Sequence, residues 1–266
     1  MSKIALCSFR KTGNYLFIKI LKDILSFENK WKTYSMSKNL WNKYFSNFNQ
    51  SYPIEKEIDE LVFLESNTWQ LYKGSERIDI DEERFKDLSL RSNFLLTHEN
   101  PHAEIFKNPH TSSYLWFYLI RDIGPTLNSL IKFLSSADIV SRTPGYQIRD
   151  PHELLNIDGY FEKYVAMWIE HVEQYLKFSK EFVLIKYEEI ISNKHDFIDL
   201  LTEKTGFKGN PNKIIEDSSF LNMKKDAPNH VRTGNNKEYE NFFNKKQIDY
   251  MYSKSYDVRK KIGYVQ

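Results

Sequence analysis

The chain has 266 residues, 38 basic against 36 acidic side chains for a formal charge of +2, and 41% hydrophobic residues, with 19 Phe and 17 Tyr among the aromatics. That size suits one large domain or two small ones with a packed core. The near-even charge balance argues against a protein that coats nucleic acid and leaves room for a local anion site. Its single cysteine, Cys7, excludes an intramolecular disulfide and a multi-cysteine metal site, and fits a reducing, cytoplasmic setting.

Residues 3–7, KIALC, read as a buried strand. Arg10 and Lys11 interrupt the apolar run at once, so no secretory leader is expected. Leu16, Ile20, Ile24 and Phe27, flanked by Phe17 and Leu21, give residues 14–27 a helical face, with Asn14 as a candidate cap. Between strand and helix lies SFRKTGNYL, residues 8–16. It reads either as a plain exposed turn or as an anion cradle. In the second case the outward N–H groups of a helix start attract phosphate or sulfate, Gly13 lets the backbone approach closely, and Lys11 reaches the same anion.

Residues 28–59 are aromatic but poorly periodic; Trp31, Trp41, Tyr44 and Phe45 either pack helices or line a pocket. LVFLES, 61–66, reads as a strand and the polar stretch Lys73–Asp87 as surface structure. NFLLT, 93–97, is a strand ending at His98, and YLWFYLI, 114–120, is a central strand, apolar throughout as parallel strands tend to be. That apolar run is far too short to span a membrane, although peripheral membrane contact stays open. A helix follows over 124–134 with Pro125 near its start, then a loop over 136–153 with turn residues Pro144-Gly145. A long amphipathic helix occupies 158–178, a strand 182–187, a helix 194–205 stopped near Gly206, and a helical tail 245–262. Strands alternating with helices predict an α/β fold, a mostly parallel central sheet flanked by helices in three layers. Its strand ends at Phe9, His98, Arg121 and Tyr187 then face one crevice, because ligands bind beyond the carboxyl ends of such strands.

The motifs that would name a common nucleotide site are missing. A Walker loop needs Lys after the last glycine and a first glycine five residues before that one, whereas Lys11 precedes Gly13 here; there is no GxGxxG. His98 and His102 are four apart, but Pro101 between them breaks a shared helix face, so no metal site is expected; His152 and His171 read as surface or packing histidines.

What the chain resembles, in six segments in order, is the sulfotransferase family that uses 3′-phosphoadenosine 5′-phosphosulfate (PAPS). FRKTGNYL resembles the family's 5′-phosphosulfate loop, Tyr-Pro-Lys-Ser-Gly-Thr-Thr-Trp, and FLLTHEN the strand ending in Lys-Thr-His that carries its catalytic histidine. YLIRDIGPTLNSL resembles the 3′-phosphate segment, with Arg121 and Ser129 eight apart. KYEEI resembles Tyr-Glu-Asp-Leu, SSFLNMKK the segment near the adenine, and HVRTGNNKEYENFF the C-terminal Arg-Lys-Gly…Gly-Asp-Trp…Phe signature. The resemblance implies a single domain over 1–266 with a P-loop-like phosphosulfate loop, and insertions at 28–92 and 136–157 that shape the acceptor side. It implies Lys11 and His98 as the catalytic pair. For the donor nucleotide it implies Arg10, Lys11, Thr12, Gly13, Asn14, Tyr15, Arg121, Ser129, Tyr187, Ser218, Phe220, Arg232, Thr233 and Gly234.

The chemistry of those residue types is consistent with sulfuryl transfer. The acceptor must lose a proton, and a neutral histidine is available for that near pH 7. The departing phosphate gains charge, which Lys11 and the loop donors stabilise; an arginine fork suits the 3′-phosphate. His102 and His110 compete with His98 for the role of base. Expected partners are the PAPS donor, its product 3′-phosphoadenosine 5′-phosphate (PAP), and a hydroxyl-bearing acceptor, a carbohydrate or a small organic molecule. Where the family loop continues Thr-Thr-Trp, this chain has Asn14-Tyr15-Leu16; Arg10 replaces the loop proline, Leu96 the lysine two before the histidine, and Tyr239 the C-terminal tryptophan. Two other readings are a non-catalytic nucleotide-binding or scaffold protein on the same fold, and a nucleotide kinase with a degenerate loop. Retention of Lys11 and His98 argues against the first, and the order of Lys11 and Gly13 against the second.

Overall fold

The computed structural model describes residues 3–26, 60–64, 68–73, 76–91, 93–136, 147, 150–206, 210–226 and 235–265. The aromatic stretch from Trp31 to Phe45 and the turn at Pro144-Gly145 lie outside the described residues. In chain order, strand β1 (Lys3–Ser8) leads into helix α1 (Asn14–Ser26). Then come β2 (Glu60–Leu64), β3 (Thr68–Lys73), β4 (Glu76–Ile80), α2 (Glu82–Arg91), β5 (Phe94–Thr97), α3 (Ala103–Lys107), β6 (Tyr114–Ile120) and α4 (Ile123–Leu134). The second half holds α5 (Pro151–Leu155), α6 (Tyr160–Lys177), β7 (Phe182–Lys186), α7 (Tyr187–Ser192), α8 (Lys194–Thr205), α9 (Pro211–Asp217), α10 (Phe220–Asp226), α11 (Tyr239–Phe242), α12 (Lys245–Lys254) and α13 (Tyr256–Lys261).

Four parallel strands form the central sheet in the order β5-β1-β6-β7. Alternation along β1 separates two cores. Ile4 and Leu6 point to α1 and pack with Leu16, Phe17, Ile20 and Leu21. Ala5 and Cys7 point the other way, into a core built with Tyr118 and Ile120 of β6, Leu127 of α4 and Val165, Trp168 and Val172 of α6. β6 contributes to both: Phe117 and Leu119 to the first, Tyr118 and Ile120 to the second. A strand apolar on both faces needs helices on both, and the three layers follow. From β1 the chain builds outward to β5 on one side and to β6 and β7 on the other. The reversal places a crevice at the carboxyl end of β1.

Several boundaries differ from the sequence reading. Tyr187 is the first residue of α7, one place beyond the end of β7. The segment read as a loop over 136–153 turns helical at Pro151, where the Asp150 side chain accepts the His152 N–H. The tail is two helices that meet at the buried Ser255, whose hydroxyl donates to the Met251 carbonyl at 2.7 Å. The polar stretch Lys73–Asp87 contains β4 and the start of α2. In ERIDI the charged Arg77 and Asp79 alternate with Ile78 and Ile80, a two-residue period too short to stand out. β2, β3 and β4 form a second, antiparallel sheet with Phe63 opposite Trp69 and Leu71 opposite Ile78, and β2 lies beside β5. Gly206 does stop α8, in a left-handed conformation at φ 68°.

Candidate active site

The loop between β1 and α1 is wound tightly. Lys11 has φ 67° and Gly13 φ 107°, both in the left-handed half of conformational space. For a lysine that is uncommon and costs energy. Asn14 does not cap α1 as expected. The Gly13 carbonyl accepts from the N–H groups of Leu16 and Phe17 at 3.0 and 3.2 Å, so Gly13 holds the cap position and Asn14 sits inside the first turn. Its side chain instead turns back to the strand end. The Ser8 hydroxyl donates to Asn14 Oδ1 at 2.8 Å, while the buried Thr12 hydroxyl donates to the Phe9 carbonyl at 2.9 Å.

Thr12 Oγ1 also lies 3.1 Å from Asn14 Oδ1, and with the Ser8 bond this orients Asn14 toward His98, which follows β5. Asn14 Nδ2 lies 3.5 Å from His98 Nε2, and His98 Nδ1 lies 2.8 Å from the Ser8 carbonyl. A carbonyl only accepts, so the proton of a neutral His98 sits on Nδ1 and the Nε2 lone pair faces the loop. Adjacent strands β1 and β5 therefore bring a histidine acceptor and the candidate anion loop together. Lys11 packs with its ammonium 4.1 Å from the centre of the Phe133 ring. Phe133 is one helical turn after Ser129 on α4, so Ser129 shares the helix face toward the loop. α4 is helical from Ile123, so Ser129 stands within a helix rather than in a loop.

At the neighbouring ends of β6 and β7 a second cluster forms. The Arg121 guanidinium lies 4.5 Å from the centre of the Tyr187 ring. On the loop side, a Cβ added to Gly13 would come within 2.1 Å of Tyr187 Cδ2, so the glycine backbone rests against that ring. Tyr187 thus links the loop to Arg121. Arg121 also donates to the Asn236 side chain, while its Nε is buried with no hydrogen-bond partner. Burial works against the guanidinium charge, and Tyr187 and Glu188 favour it. A half-buried cation with a shielded donor to spare suits a bound anion. Burial, more than the opposing effect of Arg121, raises the Tyr187 phenol above its ordinary value.

The remaining expected residues are more scattered. Arg10 is exposed in the loop. Tyr15 is half-buried, its phenol raised first by burial and then by the charge of Asp226 at the end of α10. Ser218 is fully buried; its hydroxyl donates to the Ile215 carbonyl at 3.3 Å and its own carbonyl accepts from Lys194. Phe220 opens α10, with the Lys224 ammonium 5.7 Å from its ring centre. No hydrogen bond among the described residues joins Ser218 or Phe220 to the loop. Arg232, Thr233 and Gly234 lie outside the described residues. His102 and His110 turn to carboxylates, Glu99 at 4.0 Å and Glu82 at 3.2 Å.

Sequence reasoning missed Ser8, Asn236 and the layer behind His98. His171 of α6 is buried, with Tyr118 Oη 2.7 Å from its Nδ1 and the Phe9 ring edge-on at 5.7 Å. Its Nε2 has no hydrogen-bond partner. Burial first, and the nearby His98 second, lower its pKa to about 3; the peptides of Glu99 and His98 oppose that drop without bonding Nε2. His171 is a neutral packing histidine, as its place on the amphipathic helix suggests. Ser8 could have been found from its position, last in the strand and first before the loop. Asn236 has no such signal, because its partner is 115 residues away. Among the described residues, no group of three or more His, Cys, Asp or Glu side chains could hold a metal ion, and no helix is long and apolar enough to cross a membrane.

A parallel α/β sheet thus carries a left-handed lysine-glycine loop after β1 and a half-buried arginine after β6, both at its switch point. The sulfotransferase domain family matches residues 1–254, and the chain belongs to that family. Solved structures agree on the fold. Mouse sulfotransferase SULT7A1 complexed with PAP is 17% identical at a TM-score of 0.56, over 96% of this chain and 84% of that one. Retinol dehydratase in complex with androsterone and the inactive cofactor PAP is 13% identical at 0.52, over 97% and 80%. No curated protein sequence matches the chain.

Proposed function

We propose that the chain moves a sulfuryl group from PAPS to an acceptor hydroxyl, in one domain over 1–266. The observation that carries the reading is the pairing of His98 Nε2, its proton directed to Nδ1 by the Ser8 carbonyl at 2.8 Å, with the Lys11–Gly13 loop on the adjacent strand end. His98 takes the proton of the acceptor hydroxyl as oxygen attacks sulfur. Lys11 and the loop N–H groups take up the charge that develops on the departing phosphate. Arg121, Ser129 and the segment Arg232-Thr233-Gly234 hold the 3′-phosphate. Tyr15, Tyr187, Ser218 and Phe220 flank the adenine. Arg10, Thr12 and Asn14 complete the loop. PAP in two neighbours of the same fold supports the donor.

The acceptor enters from the side of the small sheet β2–β4, which lies next to the strand that ends at His98 and falls within the 28–92 insertion; 136–157 is the other insertion that shapes the acceptor side. Androsterone in one neighbour supports a small organic acceptor over a carbohydrate. The buried, reduced Cys7 suits a cytoplasmic enzyme. The test is turnover of PAPS against a mixed acceptor library, with mass detection of one added sulfuryl group, beside calorimetry of PAP. The reading expects one saturable PAP site and at least one sulfated product. Absence of PAP binding by folded protein overturns it.

A further inference from the structure

Two dipeptides at neighbouring strand ends interlock. Arg121-Asp122 follows β6 and Tyr187-Glu188 follows β7. The side chain of Arg121 lies over the ring of Tyr187, and the backbone N–H of Asp122 donates to Glu188 Oε1 at 3.1 Å. Each acidic member is then gripped from the C-terminal end of the chain. Arg259 of α13 makes a two-pronged bond to Asp122, Nε to Oδ1 at 2.9 Å and Nη2 to Oδ2 at 3.1 Å. The Tyr264 hydroxyl donates to Glu188 Oε2 at 2.6 Å. Asp122 Oδ1 also accepts the first N–H of α4, from Ile123, at 2.8 Å, so its carboxylate is held on both sides.

Both gripping residues lie beyond residue 254, the end of the segment that matches the family. Neither reaches the crevice directly: each holds the neighbour of a residue that faces it. The ion pair is mostly shielded from solvent, with 14% and 20% of the two side chains exposed, so it fixes geometry more firmly than a surface pair does.

We propose that Arg259 and Tyr264 are positioning residues for the nucleotide's 3′-phosphate: they lock Asp122 and Glu188, and through them set where the Arg121 guanidinium stands over Tyr187. The inference rests on Arg121 as the 3′-phosphate ligand. It makes the last turn of the chain a determinant of donor selectivity, for PAP over the same nucleotide without its 3′-phosphate.

The readout is a ratio. PAP and adenosine 5′-monophosphate are titrated by calorimetry into wild type, Tyr264→Phe, Arg259→Met and Arg259→Lys, each checked for folding by thermal melt. Wild type prefers PAP. Arg259→Met loses about tenfold or more of PAP affinity with adenosine 5′-monophosphate affinity held within about twofold, by the usual worth of a charged hydrogen bond. Tyr264→Phe, a milder change that keeps the ring, loses about threefold in the same selective way, and Arg259→Lys recovers part of the loss. A folded variant that retains the wild-type ratio, or one that weakens both nucleotides equally, overturns the positioning role and leaves the donor site standing. A wild type that binds both nucleotides equally removes Arg121 from the phosphate and takes this inference with it.

Discussion

The two ends of the crevice are built differently. At β1 and β5, the candidate reactive groups stand on a strand end and a loop: His98 meets the Ser8 carbonyl at 2.8 Å, the Ser8 hydroxyl at 3.3 Å and Asn14 at 3.5 Å, and Lys11 lies over a ring face from a left-handed backbone. At β6 and β7, Arg121 sits in a lattice of Tyr187, Asn236, Glu188, Asp122, Arg259 and Tyr264. A base must exchange a proton and a lysine must follow a charge as it moves, so both need room. A cation that anchors a phosphate gains from being fixed in advance, because it then loses little freedom on binding.

Gly13 is where the two ends touch, and a change there has the largest expected effect. In Gly13→Ala the new methyl meets the Tyr187 ring at 2.1 Å while φ stays at 107°. Overpacking and the left-handed conformation each cost about 1 to 3 kcal/mol. The expected outcome is a lower melting temperature together with weaker PAP binding. Tyr187→Ala in the same chain relieves the clash but not the backbone strain, so the double variant is less damaged than the sum of the two. Strict additivity would show that loop and ring do not meet.

A smaller effect concerns the layer behind His98. His171 has a folded pKa of about 3 against 6.5 when unfolded. Between those values only the unfolded chain takes up the proton. Stability from this site is therefore intact above pH 6.5 and declines as pH falls toward 3. At about 1.4 kcal/mol per pH unit, roughly 2 kcal/mol is lost by pH 5. Urea midpoints at pH 7 and pH 5 should fall more steeply for wild type than for His171→Gln. Parallel curves would mean that His171 accepts its proton without unfolding the layer behind His98.

How much of this was legible beforehand follows from distance along the chain. KIALC, NFLLT, YLWFYLI and FVLIKY mark the four parallel strands to within a residue or so at their ends, because each holds a short apolar run bounded by polar residues. The loop was legible because Lys11, Thr12 and Gly13 are contiguous, and His98 and Arg121 because each directly follows its strand. Asn14 was misplaced as a cap: the sequence does not show that the Ser8 hydroxyl would claim its side chain. The lattice at β6 and β7 was hidden since Arg259 lies 137 residues from Asp122 and Tyr264 lies 76 from Glu188, and nothing local marks either as a partner. β3 and β4 were missed because pairing, more than apolar content, makes them strands.

Two variants measured in two ways separate chemistry at one end from anchoring at the other. His98→Ala and Arg121→Gln are each assayed for PAP affinity and for turnover at saturating PAPS, on an acceptor the wild type sulfates. His98→Ala is expected to lose about 10² to 10⁴ in turnover with PAP affinity nearly unchanged. Arg121→Gln is expected to lose about 10- to 150-fold in PAP affinity, the equivalent of about 1.5 to 3 kcal/mol, with turnover at saturation close to wild type. A folded His98→Ala protein that turns over at the wild-type rate would remove His98 from the chemical step.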